Sequence, residues 1–223
     1  MIREIVYFLR HGPSVSRKQA SMERVEFQQW LAAEADKDGL AELRSALVDG
    51  LRGDIVEIGA GSGAMFPHYG EGVNVTAIEP DDEFRAAAEE AAEAAGVTID
   101  VIAGAGESLP CPDAGTDAVV ASTVLCSVQS VRQTLAEFRR VLKPGGELRL
   151  LEHVRSERWL EGLLMSLFNP VWLYLNKVGC NWNRRTVEAV REAGFKIASV
   201  GKYKVWSPAS PAAFPLRLIK AVK

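Results

Sequence analysis

Asp54-Ile55-Val56-Glu57-Ile58-Gly59-Ala60-Gly61-Ser62-Gly63 is the stretch on which the reading of the fold turns. A short run with β-branched residues ends in a glycine cluster, the pattern of a buried strand running into a tight loop. Glycines at alternating positions let the backbone turn sharply and approach a ligand closely. Spacing alone leaves the ligand open, because Gly59, Gly61 and Ala64 also satisfy the dinucleotide pattern G-x-G-x-x-[GA]. Two acids weigh against a pyrophosphate. Glu57 lies inside the strand, where it would repel a phosphate and attract a ligand ammonium. Glu79, 22 residues further on, ends the next strand, where a carboxylate can accept both hydroxyls of a ribose.

Outward from this stretch, strand-like and helix-like segments alternate. Strands are expected at 73–79, 97–103, 116–123 and 147–154, with helices at 81–95 and 130–142. The first helix is rich in strong helix formers and closes at Gly96, and the second stops before Pro144-Gly145-Gly146. That rhythm implies a mainly parallel sheet covered on both faces. Before it, 21–35 and 40–51 read as helices. After it, a long amphipathic region at 157–177 precedes a helix near 184–193 and strand candidates near 195–205 and 213–222. These last two suggest a terminal pair with one strand antiparallel to the rest.

Composition narrows the function classes. The chain has 223 residues, a net charge of −3, 48% apolar and 25% charged residues, an ordinary balance for a globular protein. No basic stripe supplies the electrostatic attraction that nucleic acid would require. Cys111, Cys126 and Cys180 form no C-x-x-C pair, so neither a disulfide framework nor a metal site is expected, and a reducing, cytoplasmic setting fits. The most apolar stretch, 159–175, is interrupted by Glu161, Asn169 and Pro170 and falls short of a membrane span; weak contact with a membrane surface is the most it suggests. The opening MIREIVYFLRHG lacks a small-residue cleavage site and does not read as a signal peptide.

The motifs occur in a telling order: E-x-G-x-G-x-G at 57–63, the acid Glu79, Gly104-Ala105-Gly106-Glu107-Ser108-Leu109-Pro110, the strand from Asp117, and Leu142-Lys143-Pro144-Gly145-Gly146. Over about residues 50–200 the chain resembles the class I S-adenosylmethionine-dependent methyltransferases. The resemblance implies an α/β, doubly wound Rossmann-like sheet of seven mostly parallel strands in the order 3-2-1-4-5-7-6, strand 7 antiparallel. It also implies one methyltransferase domain over 1–223: a helical N-terminal cap (1–50), a cofactor-binding core (51–156), and a lid helix with substrate-side elements (157–223).

The implied cofactor is S-adenosylmethionine, leaving as S-adenosylhomocysteine. Glu57, Gly59, Ala60, Gly61 and Gly63 would lie against its methionine part, Glu79 and Pro80 at the ribose, and Gly106 and Glu107 at the adenine. Ser122 and Thr123 would flank it at the end of the fourth strand. Related enzymes often carry aspartate where this chain has Ala105, so the adenine amino group must be read by Glu107 or a backbone carbonyl.

Shorter words narrow the likeness. Val124-Leu125-Cys126-Ser127-Val128, Glu152-His153-Val154, Asn169-Pro170-x-Trp172, Gly179-Cys180-Asn181 and the terminal Ala221-Val222-Lys223 look like the animal membrane-associated alkyl-thiol methyltransferases. They favour S-methylation of a small, fairly apolar thiol. The alternatives are O-, N- or C-methylation of a quinone, phospholipid or natural product, and a cofactor-binding protein without methyl transfer.

Chemistry points the same way. A thiol, with a pKa of about 8.5, needs modest help to ionise, whereas an alcohol or phenol wants a positioned base or metal. His153 is the one histidine at the C-terminal end of an expected core strand, where sites open in doubly wound sheets; a catalytic and a structural role are both open to it. Cys126 follows the fourth strand on that edge, as a small core residue or a substrate contact. In 157–177, Trp159, Leu163, Leu164, Met165, Phe168 and Trp172 would form an apolar wall over the substrate. Phe8-Leu9-Arg10-His11-Gly12-Pro13-Ser14 matches the opening of histidine phosphatases, but the methyltransferase pattern already claims the chain after residue 53.

Overall fold

Alternation of buried apolar strands and amphipathic helices produces the sheet that the pattern requires. The computed structural model describes residues 17–176, 179–205 and 213–223. Helix α1 (Arg24–Ala35) and α2 (Ala41–Val48) are followed by β1 (Gly53–Ile58), β2 (Val73–Ile78), α3 (Asp82–Glu93), β3 (Thr98–Ile102), β4 (Thr116–Ser122) and α4 (Val131–Val141). The chain continues through β5 (Leu142–His153), α5 (Trp159–Asn176), α6 (Thr186–Glu192), β6 (Lys196–Val205) and β7 (Phe214–Val222). The strands form one seven-stranded sheet in the order β3-β2-β1-β4-β5-β7-β6. β1 through β5 run parallel, and β7 runs antiparallel to both β5 and β6.

Both sheet faces are covered, which is why the central strands are rich in fully buried apolar residues. On one face Leu47, Ile55, Val75, Ala77, Val120 and Leu218 pack together. On the other, Ile58, Ile78, Val119, Phe138, Leu148 and Ile219 do so. Local signals set two of the helix starts. Asp81 accepts hydrogen bonds from the amides of Glu83 and Phe84 to open α3, and Ser130 accepts that of Gln133 to open α4. Between α1 and α2 the helix breaks at Gly39, whose φ of +99° favours glycine.

Two expectations shift. The fifth strand begins at Leu142 rather than Glu147, because ladder pairing resumes directly after α4 and Pro144-Gly145-Gly146 lies within the strand's span. The 157–177 region is one helix, α5, with Pro170 inside it. The phosphatase-like segment 8–14 lies outside the described residues. Among the described residues, no helix is long and apolar enough to cross a membrane.

Candidate active site

The glycine loop leaves β1 at the C-terminal edge of the parallel strands. Gly59, Gly61 and Gly63 all have positive φ (64°, 56° and 83°), which makes glycine the residue suited to each place. Their surroundings differ. A Cβ on Gly59 would meet Val124 Cγ2 at 2.7 Å, and one on Gly63 would meet Ala91 and Phe66 at 2.8 Å, so these two glycines permit close packing. A Cβ on Gly61 would meet nothing within 4 Å. Gly61 therefore faces open space, as a loop that receives a ligand must. Ala60 is buried, and Pro80 is exposed beyond Glu79.

Glu79 is 7% exposed at the end of β2 and ties the loop to the next turn. Its carboxylate accepts the Gly61 amide at 2.9 Å and the Asp81 amide at 3.1 Å. Burial pushes its pKa up, opposed by those two hydrogen bonds. Glu57 lies deeper, at 2% exposure, and accepts the Tyr69 hydroxyl at 2.8 Å. Burial pushes the Glu57 carboxyl up to about 8, against the Tyr69 hydrogen bond and the positive charge of Arg44. A cationic ligand group beside Glu57 would reverse that cost. The loop's open face and these two acids fit the ammonium and ribose of S-adenosylmethionine.

The third motif packs against the start of α4. Gly106 is buried, with Thr134 3.0 Å from where its Cβ would be. Glu107 accepts the amides of Gln129 at 2.7 Å and Ser130 at 3.2 Å through one carboxylate oxygen. It clasps the 104–110 loop to the start of α4, and Ala105 is exposed beside it.

After β4, Ser122 is half-buried and Thr123 has φ of +58°, a conformation costly for a β-branched residue. Glu152 holds the loop that follows. Fully buried in β5, it accepts the amides of Val124 and Leu125 at 2.9 Å through one oxygen and that of Cys126 at 3.3 Å through the other. Sequence reasoning passed over Glu152 as a site residue. Its signal was a carboxylate directly after Leu150-Leu151 in an expected core strand, which a fold tolerates only where it is paired.

Cys126, His153 and Cys180 come together here from three different elements. Their ligand-type atoms all lie within 4.8 Å of one another, with Cys180 Sγ 3.7 Å from His153 Nδ1. Both cysteines are buried and His153 is partly so. The neighbouring Cys180 thiol and burial push Cys126 up, while the proximity of Cys126 holds Cys180 below the usual thiol range. The segment carrying Cys180 is pinned by Asn181, whose amide donates to Cys126 O at 2.8 Å and whose side-chain oxygen accepts Asn169 Nδ2 at 3.1 Å. Arg184 donates to the carbonyls of Leu125 and Val128. Neither Cys180, Asn181 nor Arg184 stood out as a site residue in the sequence, because nothing local brings them to the C-terminal edge of β4.

Aromatic rings wall this cluster. Trp172 stacks on Trp182 with centroids 4.8 Å apart, both meet Phe214 edge-on, and Phe214 meets His153 at 4.9 Å. Only part of the expected apolar wall faces inward. Met165 and Trp172 lie on the inner helical face, Met165 O accepting the Trp182 indole at 2.8 Å. Trp159, Leu163 and Leu164 are instead exposed, at 75%, 49% and 45%. The reason is periodicity: they lie roughly 80° to 220° around the helix from Trp172. Phe168, one turn before Trp172, is 52% exposed and lies at the solvent margin of the inner face.

A methyltransferase-domain family matches residues 56–150. The thiol S-methyltransferase TMT1B of Rattus norvegicus is 36% identical over 63% of this chain and 59% of the relative. The human TMT1B is 33% identical over 70% of this chain and 67% of the relative. The chain thus spans roughly six-tenths to two-thirds of the curated relatives it matches. Among solved structures, a Bacillus halodurans C-125 protein superposes with a TM-score of 0.70 at 16% identity, covering 83% of this chain and 98% of the other. The [4+2]-cyclase SpnF superposes at 0.64 with 19% identity, covering 83% and 80%. At such identities the likeness concerns the fold, which hosts more than one reaction.

Proposed function

We propose, since the chain belongs to the class I S-adenosylmethionine-dependent methyltransferases, that it methylates the sulfur of a small, apolar thiol. The observation that carries cofactor binding is the open space at Gly61, bounded by the Glu79 carboxylate. Glu57, Gly59, Ala60, Gly61 and Gly63 would hold the methionine part, Glu79 the ribose, and Gly106 with the 104–110 backbone the adenine side. S-adenosylmethionine supplies, when bound, an electrophilic methyl group on a sulfonium. The chain's own residues then bring an acceptor to it and exclude water. Ser122, Thr123 and Cys126 would flank the cofactor from the end of β4, the segment whose Val124 packs on Gly59.

The thiol preference rests on the relatives' names, on the aromatic wall of Trp172, Trp182 and Phe214, and on His153 opposite them. Phe168 would meet the substrate at the mouth. An apolar wall adds affinity of about 25 cal/mol per Å² of ligand surface buried, before ordering costs. Release of S-adenosylhomocysteine with a panel of alkyl thiols, phenols and amines tests the reading. Turnover with thiols supports it; turnover confined to phenols or amines, or none with any acceptor, overturns it.

A further inference from the structure

Cys126, His153 and Cys180 converge from the post-β4 loop, the end of β5 and the segment after α5, and their donor atoms lie within 4.8 Å of one another. Two thiols and an imidazole are the donor set of catalytic zinc sites, which keep three protein ligands and one open position. The separation of Cys180 from His153 suits that ion. Zn–S bonds of about 2.3 Å and Zn–N bonds of about 2.0–2.1 Å in a tetrahedron require sulfur-to-nitrogen separations of about 3.6 Å and sulfur-to-sulfur separations of about 3.8 Å. Cys180 Sγ and His153 Nδ1 are 3.7 Å apart.

The ligands are also held in place. Cys126 is fixed through its amide by Glu152 and through its carbonyl by Asn181. His153 sits in the β5–β7 ladder opposite Leu216 and against the edge of Phe214. Cys180 precedes Asn181, which ties its segment to both Cys126 and α5. Supporting contacts of this kind orient metal ligands in known sites.

We propose that Cys126, His153 and Cys180 bind a zinc ion whose fourth position takes the substrate thiolate. This rests on the thiol-methylation reading and assigns His153 as a ligand rather than a proton acceptor. On binding the metal each cysteine releases its proton to solvent, and so does the substrate thiol on taking the fourth position. A lone pair of that thiolate forms the new sulfur–carbon bond. The carbon–sulfonium bond breaks with its electron pair kept by the departing sulfur, and the thioether product, a weaker ligand, leaves zinc.

The test uses the full chain, stripped by chelator and reloaded with zinc or cobalt(II). The expected result is one zinc per chain, with Cys126→Ser and Cys180→Ser each weakening affinity at least about 100-fold, since even supporting partners cost 10–100-fold. Cys111→Ser, outside the cluster, should retain zinc at parental affinity. Thiolate-to-cobalt absorption should appear on loading and shift when an alkyl thiol is added without S-adenosylmethionine. Circular dichroism of the two variants checks folding, and His153→Gln should weaken zinc binding even if a cysteine variant misfolds. Failure of the parent to hold zinc, or a Cys126–Cys180 disulfide found by mass, overturns the site. Cobalt absorption unmoved by thiol overturns the fourth-position assignment. S-adenosylhomocysteine release with thiols is read separately, so loss of the zinc proposal and loss of the methylation reading are distinguishable.

Discussion

Gly61 has φ of +56° and empty space where a side chain would project, whereas Gly59 has Val124 2.7 Å from its absent Cβ. The two glycines therefore fail differently. Gly61→Ala should cost about 1–2 kcal/mol of left-handed strain, leave the fold intact and abolish cofactor binding. Gly59→Ala adds an overpacking cost of about 1–3 kcal/mol to the same strain and should lower the melting temperature more. Thermal melts with calorimetric titration of S-adenosylhomocysteine separate them; normal binding by Gly61→Ala would refute the assignment of the loop. Glu79 allows a second residue-level statement. Glu79→Ala removes charged acceptors for two ribose hydroxyls and should weaken S-adenosylhomocysteine by about 2–4 kcal/mol. Unchanged affinity in a folded variant contradicts the ribose role.

Helix α5 carries two kinds of apolar residue. Its inner face meets the Trp182 and Phe214 rings through Trp172, and its outer face leaves Trp159, Leu163 and Leu164 in solvent. Replacing Trp172 with Ala should therefore raise the KM for an apolar acceptor at least tenfold while cofactor affinity changes less than twofold, because Trp172 packs against Trp182 and Phe214. Replacing Leu163 with Ser should leave both unchanged. Equal loss of both ligands in Trp172→Ala would show that α5 supports the whole fold rather than the acceptor pocket. The helix was legible in the sequence as an amphipathic segment. Its inner face was not, since an exposed apolar stripe and a buried one share the same periodicity and only packing partners distinguish them.

At the scale of the molecule, the buried Glu57 couples stability and ligand binding to pH. Its carboxyl titrates at about 8 in the fold and at about 4.3 in an unfolded chain. Between those values the folded protein keeps a proton that the unfolded chain has lost, so this group's contribution to stability is fully present below about 4.3 and falls as pH rises to about 8. The slope is at most about 1.4 kcal/mol per pH unit, and Glu57→Gln should flatten it in melts of the cofactor-free protein. A ligand ammonium near Glu57 favours the carboxylate. Binding of S-adenosylhomocysteine near neutral pH should then release a proton, visible as heats that differ between buffers of different ionisation enthalpy. Glu57→Gln should bind without that difference; a parent showing no difference would place the ammonium elsewhere.

By itself the sequence determined the strands, the glycine loop and the acid that follows it. β1, β2 and Glu79 are local patterns, because strand burial, tight turns and helix caps depend on neighbours a few residues apart. The order of motifs then carried the sheet topology through resemblance. Only the tertiary structure brought Cys126, His153 and Cys180 together. Glu152 reaches amides 26 to 28 residues earlier in the chain, and Cys180 meets His153 across 27. No periodicity encodes contacts at such separations. They exist because parallel strands bring their C-terminal ends to one edge, and chain segments remote in sequence are folded against it.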